Sequence, residues 1–174
     1  MSRAVVLRSV VADLNALVEA GTLGRWALCG VLALAVWGAS RATLDIDVLA
    51  DPAQGHTAAE AARELVFKGW TLVEHARYPG DQVPEFLRMT YGGVGVVILV
   101  AHRNWEVAML EEAATVPWQG VGIPSVRVEA LAAMKLRASG PQDLVDAGSL
   151  EGLPGFDRGS FAAWKKRLRV RGSM

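Results

Sequence analysis

The sequence predicts a mixed α/β fold: a small mixed β-sheet flanked by helices, with a small helical C-terminal part. Three observations carry that expectation. Leu44–Leu49 (LDIDVL) alternates apolar and acidic residues, the period of a strand with two different faces. Gly92-Gly93 separates two strand-like arms, Glu85–Tyr91 and Val94–Val100, as a two-residue hairpin turn does. Between such segments lie stretches with helical spacing, so strands and helices alternate along the chain.

The elements follow in order. Leu7, Val10, Val11, Leu14, Leu17 and Val18 recur at i, i+3, i+4 and i+7, an amphipathic helix that Gly21 and Gly24 end. Trp26–Cys29 reads as a short buried strand stopping at Gly30, and Val31–Trp37 as an Ala/Leu-rich helix closed by Gly38. Asp51-Pro52 ends the acidic strand. Thr57–Phe67 is a helix and Trp70–Glu74 a strand. GVVILVA at 95–101 has no polar side chain, which predicts a central strand buried on both faces. Asn104 is the expected N-cap of a helix to Ala113. Pro117–Pro124 reads as a loop or short strand. Ser125 is the expected cap of a helix through Ala138, Pro141 opens another to about Leu150, and Phe161–Arg169 is a final amphipathic helix. No repeat or low-complexity tract is visible.

Composition narrows the class. A chain of 174 residues, 52% hydrophobic and 21% charged, can bury a real core and is not disordered. The 18 basic and 18 acidic residues balance, but six of the basic ones and none of the acidic ones lie in 158–174. The expected division is therefore a domain over 1–157 with an acidic balance and a basic C-terminal helix or tail over 158–174. An acidic body disfavours a nucleic-acid-binding domain of the usual basic kind. The tail has three readings: a solvated helix, a contact with the acidic body of a second copy, or a binder of RNA phosphates. Cys29 stands alone, so no intramolecular disulfide is possible, and it reads as a small buried hydrophobe. His56, His75 and His102 share no zinc-ligand spacing. The longest uncharged run, Trp26–Ser40, is 15 residues, short of the roughly 20 that span a bilayer. Asp13 and Glu19 interrupt any signal-peptide core. The expected location is cytoplasmic, with no membrane partner.

Residues 28–48 (LCGVLALAVWGASRATLDIDV) concentrate the chemistry. Gly30 lets backbone approach a ligand closely, and amides opening the next helix favour an anion such as phosphate. Asp45 and Asp47, two apart on a strand, point to one side and together suit Mg²⁺, a hard cation that takes oxygen ligands. A carboxylate pair beside a helix start is equipment for a nucleoside triphosphate.

Here the chain resembles the nucleotidyltransferase superfamily, the DNA polymerase-β-like fold, and within it the bacterial minimal, AbiEii toxin-like group. That signature is a strand ending in Gly-Gly or Gly-Ser, about ten residues, then Arg-x-Thr/Ser-x-Asp-x-Asp. The matching residues are Gly30, Gly38, Arg41, Thr43, Asp45 and Asp47. A second match runs through IPSVRVEALAAMKLRASGPQDLVDAGSL, with Pro124, Lys135, Arg137, Asp143 and Asp146. The two lie in the family's order, and the resemblance covers about residues 5–150.

The resemblance implies Mg²⁺-dependent transfer of a nucleoside monophosphate from an NTP to a hydroxyl or phosphate of RNA, protein or a small molecule. Asp45 and Asp47 are the implied metal ligands and catalytic residues, with a third carboxylate from a later strand. Gly30, Val31, Arg41 and Thr43 are the implied nucleotide-binding positions. Lys135 is a third catalytic candidate, contacting the triphosphate or bracing the site, with pairing to Asp143 and Asp146 as the plainer role for those two acids. A toxin–antitoxin setting brings an antitoxin partner or a homodimer. Two departures accompany the match. Val31 replaces the second small residue, and strand 94–101 carries no acid, with Val97 about where one is expected. Glu74, Glu85 and His102 are the candidate substitutes. These departures motivate the rival expectation of a catalytically degenerate nucleotide-binding or protein-interaction module.

Overall fold

The computed structural model describes residues 2–39, 43, 45–77 and 85–170. Seven strands form one mixed sheet in the order β3-β4-β5-β2-β1-β7-β6. They are β1 (Leu23–Cys29), β2 (Ile46–Pro52), β3 (Thr71–Ala76), β4 (Phe86–Tyr91), β5 (Val94–Val100), β6 (Ala114–Trp118) and β7 (Val121–Ser125). The helices are α1 (Arg3–Glu19), α2 (Gly30–Val36), α3 (Ala58–Phe67), α4 (Asn104–Glu111), α5 (Val128–Ala138), α6 (Pro141–Glu151) and α7 (Arg158–Arg167). β2 runs parallel to β5 and β1 parallel to β7, while the other neighbours are antiparallel. The expected mixed sheet, flanking helices and helical C-terminal part are all present.

One face of the sheet is the core. Leu28, Val48, Ala50, Val96, Ile98, Leu87 and Met89 are buried on it, under α1 and α3. Two tryptophans reach α1 there: the Trp26 indole donates to Asn15 Oδ1 (3.0 Å) and that of Trp70 to Asp13 Oδ2 (2.8 Å). These bonds satisfy indole N–H groups that burial would otherwise leave without water. α3 starts with a complete capping box. Thr57 Oγ1 accepts from the Glu60 amide, and the Glu60 carboxylate accepts from the Thr57 amide.

The opposite face carries Asp47, Leu49 and Asp51 on β2 and Val97 and Leu99 on β5. α4 lies on this side, since Glu111 pairs with Arg25 (3.5 Å), which sits opposite Asp51. Toward β5 and β4 the face is half-open. Gly95, Val97 and Leu99 are half-buried, alternating with buried Val96, Ile98 and Val100. β5 is thus central in the sheet but buried on one face only. Its lack of polar residues does not signal two covered faces, because Gly95, Val97 and Leu99 are only half-buried on the second one.

Three further expectations change. Pro117–Pro124 is a hairpin, β6 and β7, turning at Gln119-Gly120 with φ of +47° and +79°. That is the geometry of the Gly92-Gly93 turn, but glutamine advertises it poorly, and Pro117 is tolerated because β6 is an edge strand. α5 starts at Val128, not after Ser125. The chain at Ser125 is held by β1, where the Val126 amide donates to Leu28 O (3.0 Å). The N-cap of α4 is Arg103 rather than Asn104. Glu106 decides this, because its Oε2 accepts from the amides of both His102 (3.0 Å) and Arg103 (2.9 Å).

α7 packs against α5 and buries Phe161 and Trp164, followed by buried Leu168. Asp157 caps it by accepting from the Gly159 and Ser160 amides. No helix among the described residues is long and apolar enough to cross a membrane.

Candidate functional site

The site grows from the junction of β1, α2 and β2. Cys29 ends β1 opposite Asp47, and Gly30 turns the chain into α2 at a φ of +64°. That backbone region is open to glycine and strained for other residues. The space beside Gly30 is taken by Asp47. A Cβ at Gly30 would lie 2.7 Å from Asp47 Cβ and closer still to its Oδ2. Gly95 on β5 does the same for Asp45, since a Cβ there would sit 2.5 Å from Asp45 Oδ1. Two glycines from different elements, one opening α2 and one within β5, therefore seat the two carboxylates. Sequence reasoning missed Gly95, which looks like one more turn glycine after Gly92-Gly93. The usable signal was a glycine inside an otherwise apolar strand, which marks a close approach.

Asp45 is exposed just before β2, and Asp47 is half-buried within it. Burial pushes the Asp47 carboxyl above the usual carboxylate range, and the charge of Asp45 adds to the rise, against the opposing pull of Lys135. Thr43 lies just upstream, its hydroxyl donating to Asp45 O (3.3 Å) and accepting from the Asp45 amide (3.4 Å). Val31, half-buried, is the second residue of α2. Arg41, the remaining nucleotide-binding expectation, lies outside the described residues. Burial also pushes the neighbouring Cys29 thiol far up, with Asp47's charge adding to it, so Cys29 is no nucleophile.

Lys135 enters from the last turn of α5. Its Nζ is 2.8 Å from Asp143 Oδ1 and 3.0 Å from Asp146 Oδ2, both on α6. Burial alone would lower its pKa, but the two hydrogen-bonded carboxylates outweigh it and hold the ammonium above its ordinary value. Asp143 and Asp146 thus pair with Lys135, while the lysine's field reaches Asp47. α5 is anchored beside α2 by Trp37, whose indole donates to Val126 O (2.9 Å) and Ser125 Oγ (3.1 Å).

The candidate substitutes for a third carboxylate do not converge. Val97 sits opposite Asp47 in the β2–β5 ladder, so the expected acid position is a valine. Glu74 shares that row but lies three strands away, about 14 Å at the usual strand spacing, and pairs with Arg88 (3.3 Å). Glu85 is hydrogen-bonded to His75 Nε2 (2.7 Å). His102 follows the far end of β5 and faces Glu106 (3.3 Å). Among the described residues, no three His, Cys, Asp or Glu side chains cluster as a metal site.

No family model and no curated protein matches this sequence. Solved structures do match in shape. A Thermotoga maritima protein assigned as a nucleotidyltransferase superposes with a TM-score of 0.60 at 19% identity, covering 87% of this chain and 93% of that one. ANT(2″)-Ia, solved in complex with adenylyl-2″-tobramycin, gives 0.59 at 13% identity over 92% of this chain and 95% of that one. An antigenic nucleotidyltransferase-like protein of Paracoccidioides brasiliensis gives 0.53 at 16% identity over 94% and 87%. At these identities the likeness establishes architecture, and the chain has the nucleotidyltransferase fold.

Proposed function

We propose that the protein binds a nucleoside triphosphate with Mg²⁺ at Asp45 and Asp47 and transfers its nucleoside monophosphate to an acceptor. The observation that carries this reading is the seating of the two carboxylates, side by side over Gly30 and Gly95 on a half-open sheet face. The residues suit the ion: two hard oxygen donors on one face, whose mutual repulsion a divalent cation relieves. Mg²⁺ bound there supplies charge neutralisation at the α-phosphate and alignment of the attacking oxygen.

The chain's own residues do the rest. Asp47 is kept oriented by its close fit against Gly30. Lys135 adds positive potential beside it and is held in place by Asp143 and Asp146. The amides of Gly30 and Val31, which open α2 next to Asp47, are the phosphate contacts of this reading, and Thr43 and, by the family resemblance, Arg41 are its further nucleotide contacts. RNA or protein hydroxyls are the acceptor classes. The AbiEii-like resemblance adds a toxin–antitoxin setting, with an antitoxin or a second copy as partner. Incubation with each labelled NTP, Mg²⁺ and cellular RNA or protein tests the reading. Transferred label must disappear in the Asp45→Ala/Asp47→Ala variant, and label surviving both substitutions refutes it.

Val97 favours a second reading. With valine opposite Asp47, the chain binds nucleotide without turnover. Calorimetry with ATP, GTP, CTP and UTP separates the two, since Mg²⁺-dependent binding with no transferred label supports the second.

A further inference from the structure

A cavity of about 740 Å³ is lined by Arg103, Asn104 and Trp105 of the α4 start, Arg137 of α5, and Arg167 and Arg169 at the α7 end. Four guanidinium groups from three segments converge on it. They are built in, not merely adjacent. The Arg103 and Arg137 guanidiniums lie 5.6 and 5.5 Å from the Trp105 ring centroid, within cation–π range. Arg137 Nη1 also donates to Leu168 O (2.7 Å), tying α5 to the end of α7. Arg167 stacks on Trp164 (4.7 Å) and pairs with Glu112 (2.8 Å), while Arg103 pairs with Glu106 (3.3 Å). Glu106 and Glu112 offset part of that charge, and the described lining itself carries four cationic side chains and no acidic one.

Its position separates it from the aspartate pair. Arg137 is two residues beyond Lys135, about 200° further round α5. Lys135 faces α6 and the field of Asp47, and Arg137 faces the groove on the other flank. The lining includes none of Gly30, Asp45, Asp47 or Lys135, so an anion held there is a second one, and four guanidiniums spread over this volume exceed the needs of one phosphate. A polycationic acceptor such as an aminoglycoside would be repelled. Arginine's planar fork suits phosphate oxygens.

We propose that this groove binds the backbone phosphates of a single nucleic-acid strand. On the transfer reading above, that strand is the acceptor, but its binding requires neither NTP nor Mg²⁺. The test is fluorescence anisotropy of a labelled twelve-nucleotide oligo-U against the full chain, without NTP or Mg²⁺. Three neutralised phosphates predict a slope of log K against log salt of about −2, hence roughly 20-fold weaker binding at 200 mM than at 50 mM. Arg167→Gln/Arg169→Gln removes two of those contacts, so the slope falls to about −0.7 and affinity at low salt drops at least tenfold. Should that variant fail to fold, Arg169→Asn replaces it, since asparagine tolerates the φ of +52° at this position. Wild-type affinity and slope in the folded variant, or no oligo-U binding at 50 mM salt, overturns the proposal. Displacement by inorganic tripolyphosphate as effective as by unlabelled oligo-U also overturns it, assigning a compact polyphosphate instead. Absence of transferred label in the separate NTP assay leaves these outcomes untouched, so the two readings fail separately.

Discussion

Lys135→Met isolates the bridge behind the aspartate pair. The lysine side chain is 17% exposed, Asp146 3% and Asp143 28%. Methionine keeps the aliphatic stem and deletes the ammonium, leaving two carboxylates three positions apart on α6 facing an apolar tip. Removing one partner of a buried ion pair costs about 3–5 kcal/mol. Asp143 is exposed enough to recover hydration, and Gln142 still donates to Asp146 (3.2 Å), so about 2–3 kcal/mol is the working figure. For a domain of this size that lowers Tm by roughly 5–10 °C. The sign with pH is definite. In the wild type the raised lysine pKa makes its contribution complete below the unfolded value and lost as pH rises through the folded one. Asp146→Asn added to Lys135→Met recovers part of the deficit, because it removes one of the two carboxylates left facing the methionine. Thermal melts by circular dichroism at pH 7 read both effects. A variant melting within 1 °C of wild type, or a double variant no more stable than Lys135→Met, refutes the reasoning.

Asp47→Asn removes a carboxyl whose ionisation is opposed by burial and by Asp45, so Tm at pH 7 rises while any Mg²⁺-induced gain in Tm disappears. Gly30→Ala puts a Cβ into Asp47 at a left-handed φ; the backbone alone costs about 1–2 kcal/mol, and nucleotide binding by calorimetry falls because the carboxylate is displaced. Val97→Asp supplies an acid opposite Asp47 and tightens Mg²⁺ binding by calorimetry, at some cost in Tm; unchanged Mg²⁺ affinity contradicts the placement of Val97 beside the site. Glu60→Gln acts through the α3 cap. Hydrogen bonds from the Thr57 amide and hydroxyl lower the Glu60 pKa, so wild-type stability present above the unfolded value is lost as pH falls through the folded one, whereas the variant's melt lacks that acid-side loss.

The alternation of LDIDVL, the helical rhythm of 7–18 and the Gly92-Gly93 turn are local patterns, and local backbone geometry obeys them. They were enough to predict a mixed sheet with flanking helices and to put Asp45 and Asp47 on one face. The pairing of Lys135 with Asp143 and Asp146 was also within reach, because all three lie on adjoining helices joined by a short connection. Other features depend on which strands become neighbours, and no residue pattern encodes that. Only the parallel pairing of β2 with β5 puts Gly95 under Asp45 and Val97 opposite Asp47, and it leaves Glu74, Glu85 and His102 at a distance. Only tertiary packing leaves Gly95, Val97 and Leu99 half-buried on the face that a wholly apolar strand suggested was closed. The arginine groove brings together residues 103, 137, 167 and 169, which no spacing rule connects. The sequence by itself determined most of the elements and the carboxylate pair, because backbone periodicity is set within a few residues, while the β6–β7 hairpin and the starts of α4 and α5 were set by contacts. Tertiary structure alone decided what surrounds that pair, because side chains far apart in the chain meet only where strand order and helix packing bring them together.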